Sequence, residues 1–212
     1  MLPDIIALSR RAFVTLGAVL GIGEASRRVT SIAWSETPAD YQPKTLTVAE
    51  LATLKGIMSR LIPRDGAEGG AVEAQAFVYV DGALAGYHTR HREAYRSGLG
   101  ELDRCARQAG VANFPALSSS AMDWLITQME RGELNGGAFP DGGRAFFNLV
   151  RRHTVEGMFC DPMYGGNKDF LGWKILGCNG VQLNYPAEAQ ALNGKDDRPQ
   201  RSIADFGGSP MA

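Results

Sequence analysis

Apolar residues recur at intervals of three and four in several separate stretches of this chain, and no two-residue alternation of comparable strength appears anywhere. An α-helix repeats every 3.6 residues and a strand every two, so that spacing by itself predicts a mainly α fold. The clearest stretch opens at Thr47-Val48-Ala49-Glu50. This is the S/T-x-x-E arrangement in which the threonine caps the amide three residues on and the glutamate reaches back to the cap. Leu51, Leu54, Met58 and Leu61 then mark one face, Ile57 and Ile62 widen it, and Pro63 closes it. Residues 64–70, RDGAEGG, read as a loop.

The stretch Ala76-Phe77-Val78-Tyr79-Val80 has strand-like residues, but Phe77, Val80 and Leu84 share a helical face that continues to Tyr87. Its length favours helix. Residues 89–108 are charged on one side, with Tyr95, Leu99, Leu102 and Cys105 or Ala106 on the other, and predict an amphipathic helix ending at Gly110. Gly98 and Gly100 are expected to weaken its middle. Serines 118–120 offer N-caps to a stripe of Met122, Leu125, Ile126 and Met129 that stops at Gly132. A glycine-rich loop over 136–143 leads into a last helix over 144–159, where Phe147, Val150, Thr154 and Met158 face one way and Arg151 and Arg152 the other. From 157 to 180 glycines, a proline and asparagines are packed among aromatics, which reads as an ordered turn region. Beyond Gln182 the chain is polar, with Tyr185, Ile203 and Phe206 isolated and Asp196-Asp197 read as a solvated pair.

The predicted organisation is an N-terminal signal segment over 1–33, one helical domain over 34–181 and an extended tail over 182–212. The signal rests on Arg10 and Arg11 ahead of an apolar run over 12–22. That run is shorter than the roughly 20 residues a membrane span needs. Ser9-Arg10-Arg11-Ala12-Phe13-Val14 resembles the bacterial twin-arginine signal, in which Ser or Thr, two arginines, any residue, Phe and an apolar residue follow one another. Ser31-Ile32-Ala33 offers a small-x-small cleavage site. The route implies the periplasm or the periplasmic face of the inner membrane, where thiols can oxidise. Of the three cysteines, Cys160 with Cys178 is the pair expected if a disulfide forms; the competing reading is three small buried hydrophobes. A formal charge of −1 becomes −3 once the four arginines and two acids of the leader are removed, so no basic surplus points to nucleic acid.

Side chains able to carry chemistry are few. His88 and His91, at i and i+3, could face one metal with Glu93 close by, but no third ligand is evident. Among Arg90, Arg92 and Arg96 they read better as part of an exposed basic face. His153 with Cys160 and Asp161 lacks a group to orient the imidazole and reads as a core or capping histidine. Gly165 and Gly166 read as turn glycines after Pro162, because no GxGxxG or GxxxxGK[ST] accompanies them.

One stretch carries a family resemblance: Gly157-x-Phe159-x-Asp161-Pro162-x-Tyr164-Gly165-Gly166-Asn167, followed by Gly172-Trp173-Lys174 and Gly177. It resembles the signature of the gluconate 2-dehydrogenase subunit 3 family, the small subunit of bacterial flavin-dependent dehydrogenase complexes. Leu61-Ile62-Pro63 with Asp65, Gly70-Ala71 and Asp81 resemble the family as well, whereas Cys178-Asn179 departs from the aromatic and proline common among its members. The resemblance implies a non-catalytic subunit that holds no cofactor itself. Its partners would be a large FAD-dependent dehydrogenase subunit and a multihaem cytochrome c subunit, with membrane contact only through the complex. Phe159, Tyr164, Gly165, Gly166, Asn167, Phe170 and Trp173 are then the candidate interface, because aromatics dominate interface hot spots and glycines allow close approach. The same residues could instead hold the turn against the domain's own helices. An independent periplasmic enzyme or binding module using His88 and His91 or His153 is the alternative from a different class.

Overall fold

The computed structural model describes residues 41–65, 69–134, 136–187 and 198–208. The leader with Ser9, Arg10, Arg11 and Phe13, the 31–33 site and Asp196-Asp197 lie outside the described residues. Six α-helices follow in order: α1 (Val48–Leu61), α2 (Ala76–Ala85), α3 (Arg92–Gln108), α4 (Ser119–Arg131), α5 (Arg144–Phe159) and the short α6 (Leu171–Leu176). No β-strand occurs among the described residues, where isolated bridges join Gly136 with Phe139 and Gly180 with Arg201. The strand-like stretch at Ala76 is helical, and none of these helices is long and apolar enough to cross a membrane.

Local chemistry sets the helix ends. Thr47 accepts from the Glu50 amide and donates its own amide to the Glu50 carboxylate, closing the capping box. Ser118 caps α4 by accepting from the Ala121 amide, and Gly132 ends that helix at a φ of 70°. Helix α3 starts later than its charge pattern predicts, because residues Thr89–His91 form a 3-10 turn first.

Helices α1 and α5 are the axis of the packing: α1 lies against α2, α3, α4 and α5, and α5 lies against all four others of the bundle and carries α6 at its end. Leu54 and Met58 of α1, Phe77 and Val80 of α2, Leu99 and Leu102 of α3, Leu125 and Met129 of α4 and Val150 of α5 are fully enclosed. Each such side chain contributes about 1.5–3 kcal/mol on removal from water. Where α3 crosses α5, Gly98 is a contact point and not a weak one. A Cβ on Gly98 would stand 2.5 Å from the Phe146 ring, so the helix passes this close only because the residue is glycine.

Polar groups fasten the entry and exit of the bundle. Asp81, fully buried on α2, accepts from the Tyr41 hydroxyl at 2.6 Å and from the amides of Lys44, Thr45 and Leu46, which anchors the segment leading into α1. Gly70 passes against the end of α1, where a Cβ would meet the Ile62 carbonyl at 2.4 Å, and the next amide, Ala71, donates to that carbonyl. The described part of the tail returns to the domain: the Ile203 amide donates to Asp161 at 2.7 Å, and Ser202, whose hydroxyl also bonds Asp161, is buried. The bridge expected between Cys160 and Cys178 is absent, and all three cysteines are free. The Cys160 thiol is directed to the Gly157 carbonyl, while Cys178 is exposed and accepts from the Gly180 amide. Of the three, only Cys105 is a buried hydrophobe.

Candidate functional site

The glycine and aromatic turn after α5 solves a local problem. A helix leaves its last carbonyls without intrahelical donors. The Asn167 amide donates to the Gly157 carbonyl at 2.9 Å, the Trp173 indole to the Phe159 carbonyl at 2.9 Å, and the Asn167 side-chain amide to the Cys160 carbonyl at 2.8 Å. Asn167 is fully buried in the left-handed region at a φ of 47°, which asparagine tolerates better than most residues. Its side-chain oxygen accepts in turn from the Gly172 amide at 2.8 Å and starts α6. The fit is close enough to exclude side chains: a Cβ on Gly166 would lie 2.0 Å from the Gly157 carbonyl, and one on Gly172 would lie 2.1 Å from the Met158 carbonyl.

The candidate interface residues therefore divide. Gly166, Asn167 and Trp173 are buried and hold the turn on α5, and Gly165 adopts a φ of 93° against Val78. Phe170 stacks on Trp173, with centroids 5.6 Å apart, and Phe159 is half-buried. Tyr164 is exposed, as are Ile175 and Leu176 of α6.

The histidines are arranged differently from the expectation. His88 is buried, not part of an exposed basic face, because the turn after α2 folds it against α5. His153, as expected, lies in the core at 0 % exposure. The His88 and His153 rings stack with centroids 4.1 Å apart, and His91 approaches His153 at 5.4 Å, so the third partner missing from the His88/His91 pair is supplied by α5. His88 Nε2 bonds the Glu156 carboxylate at 3.1 Å, and His153 Nδ1 bonds the Tyr95 hydroxyl at 3.0 Å. Their other nitrogens, His88 Nδ1 and His153 Nε2, are buried and have no hydrogen-bond partner among the described residues. Burial, reinforced by the neighbouring His88 and Arg152, pushes the His153 pKa down to about 3. Burial and then Arg90 lower that of His91. In both rings burial favours the neutral form. Glu156 and Tyr95 escaped sequence reasoning; the one available signal was His153-x-x-Glu156, an i, i+3 pair on a single helix face.

Residues 48–180 match the model of the family described as Gluconate 2-dehydrogenase subunit 3. The chain belongs to the gluconate 2-dehydrogenase subunit 3 family. No curated protein and no solved structure matches it. The matched span runs from the first residue of α1 to Gly180, so the gluconate 2-dehydrogenase subunit 3 unit comprises all six helices and the turn that closes α5. The family name is that of one subunit within a multi-subunit dehydrogenase. Within the family region, the Tyr-Gly-Gly-Asn and Gly-Trp-Lys residues have a structural task, since they complete the end of a helix.

Proposed function

We propose that this chain is the non-catalytic small subunit of a periplasm-facing, FAD-dependent gluconate 2-dehydrogenase-like complex, and that it supports assembly, stability and twin-arginine export of the flavoprotein subunit. Its membership in the subunit 3 family over 48–180 carries this reading. The Ser9-Arg10-Arg11-x-Phe13 leader supports the export role. The twin-arginine route carries folded proteins, and a flavoprotein acquires FAD before export, so one signal on the small subunit can serve a large subunit that lacks its own. The FAD and the haem c of the electron path belong, in this reading, to the large subunit and to a multihaem cytochrome c. This chain touches the membrane through them.

A complex that survives export buries on the order of 1,600 Å² or more. Tyr164, 43 % exposed, together with Ile175, 41 %, and Leu176, 62 %, offers an apolar side chain beside the family motif for that contact. Asn167, Gly166 and Trp173 would act beneath them by shaping the turn.

The test is purification of a C-terminally tagged protein from its native host in mild detergent, with mass spectrometry of its partners and a visible absorption spectrum. Stoichiometric recovery of a flavoprotein, with flavin and haem c bands, is expected; a colourless, solitary protein would overturn the reading. Replacing Arg10 and Arg11 by Lys should leave both the chain and its flavoprotein in the cytoplasm. Tyr164→Ala together with Leu176→Asp should abolish co-purification while the isolated subunit keeps its helical circular dichroism.

A further inference from the structure

All three histidines of the chain converge on one place, and one ring nitrogen from each lies within 4.8 Å of the others. They come from distant positions: His88 precedes and His91 ends the 3-10 turn between α2 and α3, and His153 lies in α5. We propose that His88, His91 and His153 form a binding site for a divalent first-row transition ion, zinc foremost, with Glu156 and Tyr95 as its outer partners.

The observation that carries this is the pair of orphaned nitrogens. A core histidine is ordinarily bonded at both nitrogens, because a buried polar atom without a partner is destabilising. His88 is 5 % exposed and His153 fully buried, yet each has only one nitrogen engaged by the protein. The engaged nitrogens meet the kinds of groups that orient metal-bound imidazoles. The Glu156 carboxylate is an acceptor, so in the neutral imidazole it places the proton on His88 Nε2 and leaves a lone pair on Nδ1. The Tyr95 hydroxyl can accept from His153 Nδ1, which leaves the lone pair on Nε2. His91 Nε2 already presents a lone pair, which accepts from the Arg90 guanidinium at 3.1 Å, a cation standing where a metal would compete.

The donor set selects the ion. Three imidazoles with no carboxylate in the inner ring suit zinc, copper or nickel and disfavour calcium and magnesium. Three protein ligands leave a fourth position for water or an exogenous ligand. His91 is half-buried and is flanked by exposed Arg90, which gives the ion an approach from solvent. Zinc holds imidazole nitrogens at about 2.0–2.1 Å, so that in a tetrahedron they stand about 3.3 Å apart. Binding therefore draws the three nitrogens inward and tilts the stacked His88 and His153 rings open. The bound ion would clamp the α2–α3 turn to α5. Neither the site nor its test depends on the proposed dehydrogenase partners.

The test uses the full chain, purified without a polyhistidine tag, stripped with a chelator and titrated with zinc alone by calorimetry, with cobalt(II) as a spectroscopic substitute. Expected are one equivalent of zinc bound, a higher Tm with zinc, and the visible d–d bands of a four-coordinate cobalt site. His91→Ala, at a half-buried position, should keep the helical circular dichroism and lose binding at least 10-fold. Glu156→Gln should weaken it about 10- to 100-fold, as outer-partner losses do. Arg90→Ala should tighten it. Absence of saturable uptake by the wild-type chain would overturn the site. So would uptake unchanged in His91→Ala but lost in Cys178→Ser, because the ion would then sit on the exposed thiol.

Discussion

Single buried polar side chains organise this protein at positions where apolar patterning is blind to them. Asn167 joins the end of α5 to the start of α6 by donating to the Cys160 carbonyl and accepting from the Gly172 amide, with a longer contact from the Trp173 amide at 3.4 Å. Removing its side chain leaves one carbonyl and one or two amides unsatisfied inside the turn. Each such group is destabilising by about 1–3 kcal/mol. Asn167→Ala should therefore lower the unfolding free energy by about 2–4 kcal/mol in urea titrations. Asn167→Asp, which keeps one acceptor but sets a second carboxylate oxygen against the Cys160 carbonyl and buries a charge, should be at least as destabilising. An Asn167→Ala variant as stable as the wild type would show that these bonds contribute nothing. Asp81 acts in the same way at the entry to α1, where it collects a hydroxyl and three amides from residues 35 to 40 positions earlier. The acidic residue itself was visible in the sequence as a family-like feature, but its partners were not.

At the scale of elements, periodicity and capping located the helices well because they depend on neighbours within a turn. Thr47 and Glu50 cap α1 as their spacing predicts, and Gly132 closes α4. The glycines of α3 show where that reading stops. Gly98 and Gly100 look alike in the sequence, yet a Cβ at Gly98 would stand 2.5 Å from the Phe146 ring while one at Gly100 meets nothing within 4 Å. Gly100→Ala should raise stability by up to about 1 kcal/mol, the propensity difference in a helix interior. Gly98→Ala should lower it by about 1–3 kcal/mol, the usual effect of overpacking. Paired thermal melts would check this, and a stabilised Gly98→Ala would contradict the close approach of α3 to α5.

At the scale of the whole molecule, stability should depend on pH through two shielded thiols, buried Cys105 and half-buried Cys160. Burial pushes Cys105 up to about 11 and is the largest influence raising Cys160 to about 11, from an ordinary value of 9.0. An unfolded thiol releases its proton near 9 while the folded one retains it, so the folded state binds more protons between these values. The contribution is fully present below pH 9 and is lost as the pH rises toward 11. Stability in urea should thus be lower at pH 10 than at pH 8, by on the order of 1 kcal/mol per thiol. Cys105→Ala should show about half the thiol share of that drop, whatever its stability at pH 8. Tyr41, Tyr79 and Tyr95, also raised mainly by burial, add to the loss at still higher pH. Alkylation near pH 8 should label exposed Cys178 ahead of the other two.

The mainly α class, the starts and stops of the longer helices and the turn region that identifies the family were all determined by the sequence, because each depends on residues only a few positions apart. Which glycines are indispensable, which carboxylates receive the loose ends of the chain, and the meeting of His88 and His91 with His153 were decided only by the tertiary structure. The reason is physical: a helical stripe states which face is buried, not which helix covers it. A buried polar group takes its partner from that crossing helix, as His88 takes Glu156, 68 positions away.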